Sequence, residues 1–179
     1  MQIVHSNWSG EAKLQLFKAA ILPHLTYCHV IWHFCRATDC KKLERVQERA
    51  LRIVFNNNTD TYNELLSQAK LPSLLNRRLQ DILVLMYKVK NSLVPNYINN
   101  LFYSHNKMHN LRNQEFPIPR FNTCRYGKHS IRYLGPILWS KLSKDIKTKP
   151  SISAFRKAVR AVDVSGLLDG SCKCVACSS

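Results

Sequence analysis

Acidic residues are scarce in this chain. Asp and Glu total 11 against 27 Lys and Arg, for a formal charge of +16 and a pI near 9.8. The acids are scattered singly, and no Asp-Asp pair occurs. Two-metal chemistry needs clustered carboxylates to neutralise and position each ion, so its ligand set is missing. Also absent are a Gly-rich phosphate loop, a Gly-x-Ser-x-Gly elbow and a His-Glu-x-x-His motif. No catalytic residue, no cofactor and no small-molecule substrate are therefore expected, and the chain reads as no enzyme by itself. Long apolar runs are missing too. Met1–Gly10 is polar and lacks the apolar stretch of a signal peptide. The longest uncharged stretch, Ala19–Cys35, contains Pro23, His24, His29 and His33 and falls short of the ~20 apolar residues of a membrane span, so no membrane partner is expected. The seven cysteines are odd in number and irregular in spacing, which favours reduced thiols and an intracellular setting.

What remains is an ordinary globular composition carrying an unusual charge. Hydrophobic residues make up 45% of the 179 positions, enough to bury a core without staples. Between Ile82 and Val162 the only acids are Glu115 and Asp145. The same span holds Lys88, Lys90, Lys107, Arg112, Arg120, Arg125, Lys128, Arg132, Lys141, Lys144, Lys147, Lys149, Arg156, Lys157 and Arg160. The first half mixes both signs, as in Lys41-Lys42-Leu43-Glu44-Arg45. The electrostatic footprint thus falls on the second half, and a polyanion is the simplest partner for it.

The periodicity is helical. Ser9-Gly10-Glu11 can open a first helix with Leu14, Phe17, Ile21, Leu25 and Cys28 on one face, kinked by Pro23. Thr38 or Asp39 suits the N-cap of a second, whose face reads Leu43, Val46, Ala50, Ile53 and Val54 and which ends at Asn56-Asn57-Asn58. A short helix follows over Thr61–Gln68. Pro72 suits the first turn of the next, which runs through Leu75, Leu79, Ile82, Leu83 and Met86 to about Asn91. Its run Ile82-Leu83-Val84-Leu85-Met86 is apolar nearly all round and marks the central core helix. Pro95 starts another short element ending near Phe102. Tyr103–Gly127, with Pro117 and Pro119, reads as a loop with room for a short strand or two, and a loop of ~20 residues in a compact domain is usually functional or disordered. Leu138, Trp139, Leu142 and Ile146 then predict one helix, and Ile152, Phe155, Val159 and Val162 another, with Arg156, Lys157 and Arg160 on its opposite side.

Two stretches resemble one family. The first is Phe17 to Trp32, carrying Lys18, Pro23-His24, Tyr27 and Trp32, followed by Lys42-Leu43-Glu44-Arg45-Val46-Gln47-Glu48-Arg49-Ala50-Leu51-Arg52. The second is Tyr126 to Leu142, with Arg132-Tyr133, Gly135-Pro136 and Leu138-Trp139, leading to Ser153-Ala154-Phe155-Arg156. In order and spacing this is similar to the region that follows the polymerase palm in non-LTR (LINE-type) retrotransposon reverse transcriptases, the RNA-directed DNA polymerases of these mobile elements, and it covers about Leu14 to Arg160. The resemblance implies a thumb-like helical bundle that holds template and primer, with a reverse transcriptase palm domain as a further partner. It does not extend to the paired aspartates of the palm or to an endonuclease domain. Nuclear residence would follow only from where such elements integrate.

Three other constellations each have a plainer reading beside the functional one. His24, Cys28 and Cys35 share a face by helical spacing, and His29 and His33 form an i,i+4 pair; both suit metal ligation, but no closing tetrad follows and packing explains them as well. Cys172, Cys174 and Cys177 are dense enough for zinc but lack a nearby fourth ligand, so a frayed reduced end competes. Arg112, Arg120, Arg125 and Arg132 interleave with Phe116, Phe121, Tyr126 and Tyr133, where guanidinium groups pair phosphates and rings either stack on bases or anchor the loop.

The expectation is a mostly α fold, a bundle of about six helices with one irregular basic loop segment. Residues 1–102 would form the thumb-like region, 103–162 the basic loop and C-terminal helices, and 163–179 a flexible Cys-containing tail. RNA or an RNA–DNA hybrid would be bound by Arg112, Arg120, Arg125, Lys128, Arg132, Lys141, Lys144, Lys147, Arg156, Lys157 and Arg160, with no metal site. The alternatives are a helical protein-interaction module, exposing Leu14, Phe17 and Ile21, or an inert relic of a mobile element.

Overall fold

The computed structural model describes residues 9–103, 115–120, 127 and 129–168. Among these the architecture is mostly α, and no strand occurs, so the strands allowed for in the 103–127 segment are not found in its described part. Ser9 caps α1 (Gly10–Leu16) by accepting from the Ala12 amide at 3.3 Å. The chain then widens into a π-helical turn over Phe17–Ile21, where the Leu22 amide reaches back to the Phe17 carbonyl. Pro23 follows at once in α2 (Leu22–Thr26). Having no N–H, it cannot continue a regular ladder, and the wide turn absorbs the expected kink. At Tyr27 the backbone is extended and at Cys28 left-handed (φ 50°), before α3 (His29–Trp32). The Trp32 indole donates to the Tyr27 carbonyl at 2.8 Å and closes this break.

α4 (Ala37–Phe55) begins earlier than its polar residues suggest. The cap is Arg36, in extended backbone, whose carbonyl accepts from Cys40, while Thr38 and Asp39 lie inside the first turn. Its buried face is Cys40, Gln47, Leu51 and Val54; Val46 and Ile53, expected inside, are exposed at 45% and 72%. The helix is turned by roughly one position, toward the side on which it meets α1, α5 and α6. Asn56, left-handed at φ 51°, ends it as expected. α5 (Tyr62–Ala69) carries a reciprocal capping box between Thr61 and Glu64. α6 (Leu74–Lys90) is capped by Ser73, so Pro72 stands just before the helix rather than in its first turn. There its free carbonyl accepts from Gln47 Nε2 at 3.5 Å.

α6 is the central helix, as its all-round apolar run predicts. Leu79, Ile82, Leu83, Met86 and Val89 are fully buried. α7 (Asn96–Phe102) starts after Pro95 and ends on the buried Phe102. Where one helix was expected over 138–146, there are two. α8 (Ile131–Lys141) starts well upstream, and Leu142 is extended (φ −70°, ψ 141°) before the single turn α9 (Lys144–Lys147). Pro136 lies inside α8 and is itself buried. It frees the carbonyl of Arg132, which sits on the exposed side, where water can satisfy it. α10 (Ile152–Arg160) buries Phe155 and Val159 against α6, while Val162 falls beyond its end at 40% exposure. Tyr87 stacks on Phe155 (4.4 Å between centroids, 23°) and donates to the Lys149 carbonyl at 2.8 Å.

Two apolar clusters result. One gathers Phe17, Leu22, Leu25, Leu51, Val54, Leu65, Leu66, Ala69 and Leu74. The other gathers most of α6 with Phe102, Phe116, Leu134, Leu138, Trp139, Phe155, Val159 and Val164. Phe17 is 1% exposed and belongs to the first, so the apolar face Leu14–Phe17–Ile21 is not presented to a partner as a unit. The region expected to be a tail opens with docked residues. Val164 is buried, its amide donating to Asn76 Oδ1 at 3.0 Å, and Ser165–Leu168 forms a 3-10 turn.

Candidate nucleic-acid interface

The basic residues sort by what their side chains already do. Arg156, Lys157 and Arg160 stand exposed on the outer side of α10, opposite Phe155 and Val159. A helix placing apolar residues at 152, 155 and 159 inside must turn 156, 157 and 160 outward. Beside them is Arg77 of α6, half-buried. Burial and the neighbouring Arg160 charge together hold its guanidinium below the usual arginine range, partly offset by Asp81. Asp81, the nearest acid, is engaged by His29 Nε2 at 2.7 Å. Burial pushes the Asp81 carboxyl up, but the bond and charge of His29, with Arg160 and Arg77, outweigh it and keep the group below the ordinary range. Positive charge therefore exceeds negative on this surface.

A second group forms around Trp139. Its indole donates to Glu115, which also accepts from Lys90 Nζ at 2.9 Å. Lys90 and Lys147 lie over the indole ring at 5.5 and 5.9 Å. Lys147 donates to the Ser140 carbonyl at 3.3 Å; burial and the Lys90 and Lys144 charges lower its pKa against the pull of Glu115. Lys141 donates to the Leu167 carbonyl at 2.7 Å. These two lysines thus help hold α8, α9 and the 3-10 turn together; Lys141 is nonetheless exposed, as are Lys144, Arg132 and Arg120. Arg112, Arg125 and Lys128 lie outside the described residues, as do Phe121, Tyr126, Cys124, Cys172, Cys174 and Cys177. Phe116 is 3% exposed and packs edge-on to Trp139 at 5.8 Å, so it anchors the loop and is not free to stack on a base. Tyr133 is half-buried.

The metal constellation does not assemble. The break at Tyr27–Cys28 takes His24, Cys28 and Cys35 off a common helix face. His29 is committed to Asp81, and Cys35 lies against Cys40. Among the described residues no group of three His, Cys, Asp or Glu could hold an ion. No helix there is long and apolar enough to cross a membrane.

Three charged positions were missed from sequence. The doublet Arg77-Arg78 near the start of α6 could have signalled two of them. Arg78 is 1% exposed, its guanidinium 5.2 Å over the Trp32 ring, with Nε and Nη1 lacking a hydrogen-bond partner among the described residues. Nothing in the local sequence separates this buried arginine from its half-exposed neighbour. Glu44 is the third. It accepts from Tyr62 Oη at 2.5 Å, from the Leu75 amide at 2.9 Å and from the Leu74 amide at 3.3 Å. It thereby caps the α6 N-terminus from a distance. Burial first, and the Glu44 charge second, push the Tyr62 hydroxyl far above its usual range.

Compared with protein-family models, with curated proteins and with solved structures, the chain finds no match.

Proposed function

We propose that the chain is the post-palm, thumb-like part of a non-LTR reverse transcriptase and that it grips template RNA or an RNA–DNA duplex by the phosphate backbone, without chemistry of its own. The observation that carries this reading is the outer face of α10. Arg156, Lys157 and Arg160 project from a helix whose other side is locked into the core, with Arg77 alongside. Cations carried on a packed helix and meeting phosphates would position a duplex without reading its bases. The motifs from Phe17 to Arg52 and from Tyr126 to Arg156 supply the family.

The test is a fluorescence-anisotropy titration of the full chain with a labelled RNA–DNA hybrid at several salt concentrations. Backbone gripping gives a steep log–log dependence, near 0.9 per neutralised phosphate on a B-form duplex and about 0.7 on a single strand. Salt-insensitive binding, or none at low salt by a folded sample, would sink the reading. One observation favours a second reading, a protein-interaction module: Tyr27, Ile31, Ile53 and Tyr97 are each at least 70% exposed. A mass that rises with concentration in the absence of nucleic acid is its signature.

A further inference from the structure

We propose that Cys35 and Cys40 form a reversible dithiol–disulfide pair, oxidised by small-molecule disulfides such as glutathione disulfide. Their sulfurs lie 3.1 Å apart, where the chain turns from α3 into α4. The backbone fixes this approach from both sides. The Cys35 amide bonds to the Trp32 carbonyl, and the Cys40 amide bonds to the carbonyl of Arg36, whose extended conformation folds the two side chains together. A disulfide bond is ~2.05 Å long, so closing it asks the sulfurs to move by about 1 Å. Cys28, the other described cysteine, is exposed and serves as an internal control.

The two thiols differ in a way that assigns their order of reaction. Cys35 is partly exposed and Cys40 is buried. Burial, and then the hydrogen bond with Cys35, push the Cys40 thiol up to about 11. Cys35 is therefore the attacking group. Its thiolate displaces one glutathione thiolate from glutathione disulfide and forms a mixed disulfide. Cys40 then gives its proton to solvent, attacks the Cys35 sulfur and displaces the second glutathione. The protein loses two electrons and two protons, and two glutathione thiols are produced. The new bond ties the segment bearing Trp32, which covers Arg78, to the first turn of α4. This pair is independent of the nucleic-acid reading.

The full chain would be incubated with glutathione disulfide, its remaining thiols blocked with an alkylating reagent, and its peptides mapped by mass. The expected product is an intramolecular link between Cys35 and Cys40, reversed by reduced glutathione and unchanged in the Cys28→Ser chain. Cys40→Ser should leave a lasting glutathione adduct on Cys35. If that variant does not fold, Cys35→Ser, altered at the more accessible position, should abolish the link. Adducts without the link, a link from either residue to another cysteine, or no reaction would each overturn the proposal.

Discussion

Gly135→Ala tests the packing on which the basic face depends. α8 lies against α6 with Gly135 at the contact. A methyl group built there would stand 2.6 Å from Met86 Sδ, 3.3 Å from its Cγ and 3.6 Å from its Cε. Comfortable contacts of this kind need about 3.5–4.0 Å, so the overlap with sulfur approaches 1 Å. Met86 is fully buried and its sulfur is not the free end of the side chain, so it cannot simply swing into solvent. Alanine favours a helix interior over glycine by about 1 kcal/mol. Overpacking a tight core costs about 1–3 kcal/mol. The upper part of that range applies to so close an approach, and a net loss of about 1–2 kcal/mol is expected. In urea unfolding the midpoint should fall with little change in slope. Met86→Ala alone should cost about 2–5 kcal/mol through its cavity. The double variant should cost less than the two summed, by about 1 kcal/mol or more, since the new methyl occupies space the methionine leaves. A Gly135→Ala chain as stable as the parent, or strict additivity in the double variant, would refute the described contact.

Replacing Arg156, Lys157 and Arg160 together by Ala should lower the salt slope of binding by about 2–3 units if each meets one phosphate. The circular dichroism spectrum should stay unchanged, since all three are exposed. Glu44→Ala strips the acceptor from Tyr62 and from two amides at the start of α6, and a loss of about 2–3 kcal/mol is expected in chemical unfolding. Glu44→Gln should recover part of it. Asp81 has a folded pKa below its unfolded value, so its contribution to stability is complete above the unfolded pKa, near 4, and is lost as pH falls through the lower folded value. Unfolding midpoints of Asp81→Asn measured from pH 6 downward should show a shallower acid loss than the parent. Lys70 caps α5 in left-handed backbone at φ 52°, so Lys70→Gly should raise the thermal midpoint modestly.

Sequence reading succeeded where a local rule had no competitor. The short helix opening at Thr61, Asn56 at a helix end, and the apolar run of α6 each announce their structure through neighbours a few positions away. It missed where the deciding partner is distant. Val46 and Ile53 look as apolar as Leu51, and the positions of α1, α5 and α6 decide which side of α4 is inside. The helix predicted to begin near Leu138 starts upstream of Gly135-Pro136, where Gly135 packs against the distant Met86. The charge asymmetry that singles out the second half was plain in composition. That Lys141 and Lys147 are tied to a carbonyl and an indole, while Arg156, Lys157 and Arg160 face outward, required coordinates. Glu44, Gln47, Trp32 and Trp139 act as joints between elements, each reaching a residue far away in the chain or across a break in it.

α6 enters both apolar clusters, Leu74 at its start serving one and Leu79 onward the other. The chain is therefore hard to divide. A cut between Ala69 and Leu74 would take Leu74 from the first cluster and detach Glu44 and Gln47 from the helix they hold. A cut after Lys90 would leave α6 without α8 and α10, its apolar circumference open to water. Separate pieces should need each other's presence to become soluble and ordered, and any load that the proposed polyanion partner would place on α10 would be borne by a helix that neither half can spare.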